Sequence, residues 1–376
     1  MKITTGARQS VPGLVLVVLF FFAGCGGSDN QNNTAPPQSS AAPAVAFVAN
    51  QASNNISGFT VNGSTGELVP AGPAVAVAAP FGIAVSADGT LVYVTSQGAP
   101  AGIAAFTANP ATAALTPVTG SPFASDGLAP FRVTVSPNRF VYVTNQNSND
   151  VSAFSINVQG GLTRVAGSPF SLGPGVFTPA GITLSPNGAF LYVTDQGSNQ
   201  VSAFSVNQTT GALTQIGSPV LVGTTPMGIV VSPNGAFAYV TNQISNFVSV
   251  LSIDQGTGAL TQSSVSAAGL RPTGITITPN GSFLYVANEQ SNDVSAFTVN
   301  SSTGALTPAP GNPFPAGTTP TAVTVSPDGR FLYAADQASN DVVTFAIDGA
   351  SGALSRIALV NSGGVTPRAI ATPGRP

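Results

Sequence analysis

The chain has 376 residues, a formal net charge of −3 and 6% charged residues, against about 25% in ordinary soluble domains. It has no His and one Cys, which removes the usual general base at neutral pH, an internal disulfide and a cysteine-based zinc site. No basic run is present, so nucleic acid is not expected as a partner.

Residues 1–24 have the three parts of a secretory signal: a basic start at Lys2 and Arg8, an apolar run over 14–23, and small residues before a break. As a helix, the run would reach about 15 Å, half of the ~30 Å needed to span a bilayer. We therefore predict a signal peptide that directs export.

The single Cys stands directly after this run. The segment 22–25, Phe-Ala-Gly-Cys, resembles a bacterial lipoprotein signal, which implies that Cys25 becomes the lipid-modified first residue of the mature chain. An ordinary signal peptide with an unrelated Cys is the alternative. The residue after Cys25 is Gly26 and not Asp, which favours the outer membrane, on its periplasmic or surface face, by the same resemblance. Residues 26–43 are rich in Gly, Ser, Asn, Gln and Pro and predict a flexible tether, so 25–43 form a lipidated linker.

A repeat of 46–50 residues follows. Its marker is the aromatic residue of a recurring F-L-Y-V-T-N phrase, at Phe47, Tyr93, Tyr142, Tyr192, Tyr239, Tyr285 and Tyr333. This period is typical of propeller blades or of paired-helix solenoids. Short Val, Ile, Thr, Phe and Tyr runs separated by Pro-Asn-Gly and Thr-Gly turns favour strands.

The clearest unit, 179–222, predicts four strands. Their ranges are 181–185, 190–194, 200–206 and 212–216, with Gly-Ser-Pro at 217–219 ending or bulging the last one. Asn-Gly turns such as Asn187-Gly188 supply the positive φ of tight hairpins.

Counting strands predicts how the ring closes. Seven first strands each follow a Pro, and seven second strands carry the marker, but the counts match only if 369–372 pairs with 46–50. A closed ring leaves only short, protected edges. We predict an all-β, seven-bladed propeller of four-stranded antiparallel blades over 44–376, and a monomer.

Two segments, 142–145 and 239–242, are full copies of Tyr-Val-Thr-Asn, the phrase of the YVTN β-propeller repeat. With the SPNG and TGAL turns they make 44–376 similar to the bacterial seven-bladed lactonase family, which includes 6-phosphogluconolactonases. The resemblance implies His, Arg and acidic side chains at one propeller face. Because this chain has no His, no catalytic residue is carried over.

Charged residues break the repeat in two loop sets that share one face. Before the first strands lie Arg132, Arg271 and Arg368; after the second strands lie Asp195, Glu289 and Asp336. Guanidinium groups bind carboxylate or phosphate in bidentate fashion, so these six are candidate ligand-binding residues. Solvated ion pairs, worth about 0–1 kcal/mol, are one alternative. Axial calcium bound by loop oxygens is another.

Two functions remain open. We expect a membrane-anchored, extracytoplasmic binding or scaffold module for a protein, glycan or small anionic ligand, without cofactor or metal. The alternative is a lactonase acting on a sugar lactone at the axial face, with Glu289 or Asp195 as general base. Convergence of the three Arg residues with an acid in one axial pocket would favour the enzyme.

Overall fold

Seven antiparallel sheets are arranged as blades around an axis, and the chain within them is all-β. The computed structural model describes residues 1–2 and 44–374. The predicted signal peptide beyond residue 2, Cys25 and the tether lie outside the described residues, and so do residues 375–376. Over the described ranges, no helix is long and apolar enough to cross a bilayer.

Each blade has an inner, a second, a third and an outer strand, and blade 1 is the one that contains Ala44. The inner strands of blades 1 to 7 are Pro367–Ala371, Pro80–Val85, Pro130–Val135, Pro179–Leu184, Pro226–Val231, Pro272–Ile277 and Pro320–Val325. The second strands are Ala44–Asn50, Leu91–Ser96, Phe140–Asn145, Phe190–Asp195, Phe237–Asn242, Phe283–Asn288 and Phe331–Asp336. The third strands are Asn55–Val61, Gly102–Ala108, Asp150–Ile156, Gln200–Val206, Phe247–Ile253, Asp293–Val299 and Asp341–Ile347.

The outer strands differ between blades because Pro and Gly interrupt most of them. Blades 5 and 7 have continuous outer strands, Leu260–Ala267 and Leu354–Asn361. In the other five the outer strand is split in two, as Leu68–Pro70 and Val75–Ala76, Leu115–Pro117 and Phe123–Ala124, Leu162–Arg164 and Phe170–Ser171, Leu213–Gln215 and Val220–Leu221, and Leu306–Pro308 and Phe314–Pro315. The predicted interruption at 217–219 is thus confirmed as a break within one outer strand.

The ring closes as predicted. Pro367–Ala371 pairs antiparallel with Ala44–Asn50, so the two ends of the described ring share blade 1. A second contact crosses the same seam, because the buried Tyr333 hydroxyl of blade 7 donates to the Gly66 backbone oxygen of blade 1 at 3.1 Å. Gly66 has a φ of +75°, and a Cβ there would lie 2.3 Å from the Phe331 ring, so glycine is required.

The marker tyrosines pack between blades and are fully buried. Five of the six donate to a glycine carbonyl in the next blade, at 2.9–3.2 Å. The Tyr239 hydroxyl is buried and has no hydrogen-bond partner within the described part of the chain. This confirms that the repeated aromatic residues serve blade packing.

Loop residues also join neighbouring blades. The Asn of the repeated Gln-x-Ser-Asn segment takes positive φ and accepts the backbone N–H of the residue before the next inner-strand Pro, as Asn149 does from Thr178 at 2.8 Å. The same bond recurs in most blades. The repeated Asn residues are therefore architectural.

The ring has two distinct faces. Inner strands begin, and second strands end, on the side that we call the mouth face, where Gln51 donates its backbone N–H to Thr366 O at 2.9 Å. The inner-to-second hairpin turns lie on the opposite side, the turn face. Since Ala44 begins a second strand, the described propeller is entered from the turn face.

Candidate functional site

A ring of glutamines lies at the mouth face, one residue after each second strand. Its members are Gln51, Gln97, Gln146, Gln196, Gln243 and Gln337, with Glu289 in the equivalent place in blade 6. Most of these side chains reach a neighbouring blade; Gln97, for instance, donates to Pro130 O at 3.3 Å. Glu289 is thus the single carboxylate in a ring of amides.

Arg132 lies inside the inner strand of blade 3, where other blades have Gly or Ala. Its guanidinium carbon is 5.3 Å from the Phe81 ring centre and 5.4 Å from that of Phe131. Within the described residues it forms no salt bridge, and its guanidinium donates only to Arg368 O at 3.4 Å. Burial, and then the charge of Arg368, lower its pKa to about 10.

Arg368 comes from the inner strand of blade 1 and stacks on the same aromatic ring, 5.4 Å from the Phe81 centre. Its Nε and Nη1 donate to Gln51 and Gln337, each at 2.7 Å. Burial lowers the pKa of Arg368, and the negative charge of Glu289 partly offsets this. Two guanidiniums from blades 1 and 3 therefore meet over Phe81 of blade 2.

Glu289, the carboxylate of the site, is paired with Arg271 in blade 6. Arg271 Nε lies 3.6 Å from Glu289 Oε2, and Gln243 Nε2 donates to that same oxygen at 3.0 Å. The sequence predicted all three arginines in loops before inner strands. Arg271 lies in such a loop, but the prediction is wrong for Arg132 and Arg368, which lie within their inner strands.

Asp195 and Asp336 occupy a different position from Glu289. Both are the last residue of a second strand and are 0% exposed. Burial raises the pKa of Asp195 to about 7, although a hydrogen bond from Ser202 at 2.7 Å acts to lower it. Burial and the neighbouring Asp341 raise the pKa of Asp336 to about 8. The structure thus brings Arg132, Arg368, Arg271 and Glu289 to the mouth and places the two aspartates beneath it.

The axial channel contains a cavity of about 150 Å³, lined by inner strands of all seven blades, and Arg132 is the one charged residue in its wall. Glycines in this wall allow the strands to approach closely. A Cβ at Gly181 would lie 2.2 Å from Met227 O, and one at Gly228 would lie 2.4 Å from Thr273 O. The long side chain of Arg132 occupies the strand position of these glycines, so the neighbouring strands must leave room for it.

Sequence reasoning missed Phe81 and the glutamines that hold Arg368. The repeated Gln, with Glu289 as its exception, is visible in the sequence, but its contact with Arg368 is not. The described residues contain no cluster of three or more metal-ligating side chains.

The family model for the seven-bladed β-propeller lactonases matches residues 78–177, 133–227, 171–269, 226–318 and 308–374. The chain belongs to this lactonase family. No curated protein sequence matches it.

Solved structures share the fold. A candidate 6-phosphogluconolactonase from Bacteroides fragilis is 22% identical with a TM-score of 0.78, over 90% of this chain and 99% of that one. A similar protein from Bacteroides uniformis is 23% identical with a TM-score of 0.77, over 88% and 100%. The periplasmic gluconolactonase of Pseudomonas aeruginosa is 21% identical with a TM-score of 0.72, over 89% and 100%.

Proposed function

We propose that this protein hydrolyses an anionic sugar lactone at the mouth of the channel. The observation that carries the proposal is the guanidinium of Arg132 beside Arg368, at the mouth where Glu289 is the one carboxylate of the ring. Among the described residues, Arg132 has no salt-bridge partner. A partly buried cation without a counter-ion is costly, and a bound anion would relieve that cost. Family membership and gluconolactonase neighbours of the same fold support this function over the scaffold function expected first.

The chemistry assigns one role to each side of the mouth. Arg132 and Arg368 bind the carboxylate or phosphate of the substrate and hold its ring toward blade 6. Glu289 takes a proton from water as the water oxygen bonds to the lactone carbonyl carbon. As the ring C–O bond breaks, that proton passes to the departing ring oxygen, which leaves a hydroxy acid.

The test is lactone hydrolysis by the purified protein, measured above the spontaneous rate with 6-phosphogluconolactone and with unphosphorylated gluconolactone. We expect Glu289→Gln to lower kcat by about 10²–10⁴, the usual contribution of general base catalysis. Arg132→Ala should mainly raise KM. Arg330→Ala is the control, since Arg330 pairs with Asp328 at 2.7 Å. Turnover that is unchanged in both site variants would overturn the proposal.

A second candidate function is binding of a protein or glycan partner on the mouth face. The observation that favours it is an arc of exposed apolar side chains in consecutive blades 3 to 6, namely Leu128, Phe177, Ile244 and Leu270, which are 49–65% exposed. Exposed apolar patches mark interaction sites. Absence of turnover with every lactone, together with partner capture that is lost on Phe177→Ser, would favour this function.

We also propose that Cys25 is lipidated and holds the protein at the outer membrane. The support for this proposal is the sequence at Cys25, together with the tether predicted over 26–43. Metabolic labelling with an alkyne fatty acid, lost in Cys25→Ser, is the expected result; equal labelling of that variant would refute it.

A further inference from the structure

Glu289 is held by one of its two carboxylate oxygens. Gln243 Nε2 and Arg271 Nε approach Oε2 at 3.0 and 3.6 Å. Among the described residues, no hydrogen bond is made to Oε1, and the side chain is 20% exposed. The carboxylate therefore has an occupied oxygen and an open oxygen.

Both groups on Oε2 depend on a single loop of blade 5. Gln243 starts this loop and is buried, and Asn246 ends it with a φ of +57°. Asn246 Oδ1 accepts the backbone N–H of Arg271 at 2.8 Å, so the loop also fixes the residue that carries the second group. A change in this loop would therefore reach Glu289 through two contacts.

The contact of Gln243 with Glu289 is specific to this pair of blades. The equivalent Gln97 donates to a backbone oxygen, and Gln196 donates to the sulfur of Met227 at 2.9 Å. Gln51 and Gln337 accept from Arg368. Of the six glutamines of the ring, Gln243 alone donates to a carboxylate within the described residues.

We propose that Gln243 is a positioning residue for the Glu289 base, with Arg271 in a lesser supporting role. By occupying Oε2, Gln243 fixes the carboxylate plane and leaves Oε1 as the atom that takes the proton of the attacking water. This inference rests on the proposed lactonase function. Gln243 is buried while Arg271 is 51% exposed, and exposed ion pairs contribute little, so the amide is the main support.

The test is steady-state lactone hydrolysis by the full chain carrying Gln243→Met, which keeps the side-chain length but removes the donor. Gln97→Met is the matched control, because it makes the same change in the same ring without touching Glu289. We expect Gln243→Met to lower kcat at least tenfold with KM changed less than twofold. Gln97→Met should leave both constants within twofold, and Arg271→Met should lower kcat about threefold.

A double variant separates a positioning role from a structural one. If Gln243 acts through the base, Gln243→Met should have no further effect on kcat once Glu289→Gln is present. Suppose that Glu289→Gln alone is inactive as expected. The positioning role would then be overturned if the kcat losses of the two single variants multiplied in the double variant, or if Gln243→Met kept the wild-type kcat. Full activity of Glu289→Gln, or absence of turnover by the wild type, would instead refute the proposed function and with it this inference.

Discussion

Asp336 is expected to weaken the fold at neutral pH, and Asp336→Asn should therefore stabilise the protein. Within residues 44–374, both carboxylate oxygens of Asp336 are buried, and neither makes a hydrogen bond of good geometry. In blades 3 and 6 the same position holds Asn145 and Asn288, whose amides donate to the neighbouring aspartates at 2.6 Å. In blade 7 the neighbouring aspartate is Asp341, and Asp336 has no amide N–H to donate to it.

The magnitude follows from the pKa. Burial first, and then the charge of Asp341, raise the pKa of Asp336 from 3.8 to about 8, with Arg356 and the Gly317 backbone acting in the opposite direction. The folded state then binds more protons than the unfolded state between these values, so stability falls as pH rises through this range. At about 1.4 kcal/mol per pKa unit, the wild type should lose up to about 4 kcal/mol between pH 5 and pH 8.

The assay is urea unfolding of wild type and Asp336→Asn at pH 5 and pH 8. The stability gain of the variant should grow with pH, from about 1–2 kcal/mol at pH 5 to about 5 kcal/mol at pH 8. The reciprocal variant Asn145→Asp creates the same carboxyl pair with Asp150, and its destabilisation should also grow with pH. A gain for Asp336→Asn that is equal at both pH values would refute the reasoning.

Three further experiments test the packing and the site. Tyr333→Phe removes the hydroxyl hydrogen bond across the ring seam and should lower the free energy of unfolding by about 1 kcal/mol. Tyr239→Phe removes a buried hydroxyl that has no partner among the described residues, so it should leave the stability unchanged or raise it. Thermal unfolding compares the two. Gly181→Val should destabilise by more than 2 kcal/mol, since even its Cβ would lie 2.2 Å from Met227 O, as chemical denaturation would show. Arg132→Lys should recover less than half of the anion affinity lost in Arg132→Ala, because an ammonium lacks the planar stack on Phe81; inhibition by gluconate measures this, and full recovery would argue against the stack.

The blade architecture could be predicted because each blade repeats the same local strand and turn sequences. The predicted third strand at 200–206 is identical to Gln200–Val206 in the structure, since the flanking turn residues are unambiguous. The second strand, predicted at 190–194, is one residue longer. Closure was predictable from strand counting, because a propeller leaves no strand unpaired.

The site could be predicted only in part, since its residues are brought together by non-local geometry. Arg132, Arg271 and Arg368 stand at three different registers of the inner-strand segment, and sequence spacing does not show which of them meet. The burial of Asp336 was missed for a different reason. Five blades place Ser seven residues after the final residue of the second strand, in contact with it, and Val343 in blade 7 is the signal that this support is absent.

The departures from seven-fold repetition locate the function better than the repeats do. A ring of equivalent blades presents seven copies of any group, so a ligand can be oriented only where copies differ. Arg132 stands at a register where glycines let neighbouring strands approach within van der Waals distance, and Glu289 stands where the other blades carry Gln. Each change is a single substitution on an otherwise uniform frame, and the two place opposite charges on blades 3 and 6 of one mouth. A fold stabilised by repeated uncharged contacts can accept such substitutions one at a time, because each blade is held by its own hydrogen bonds to the next.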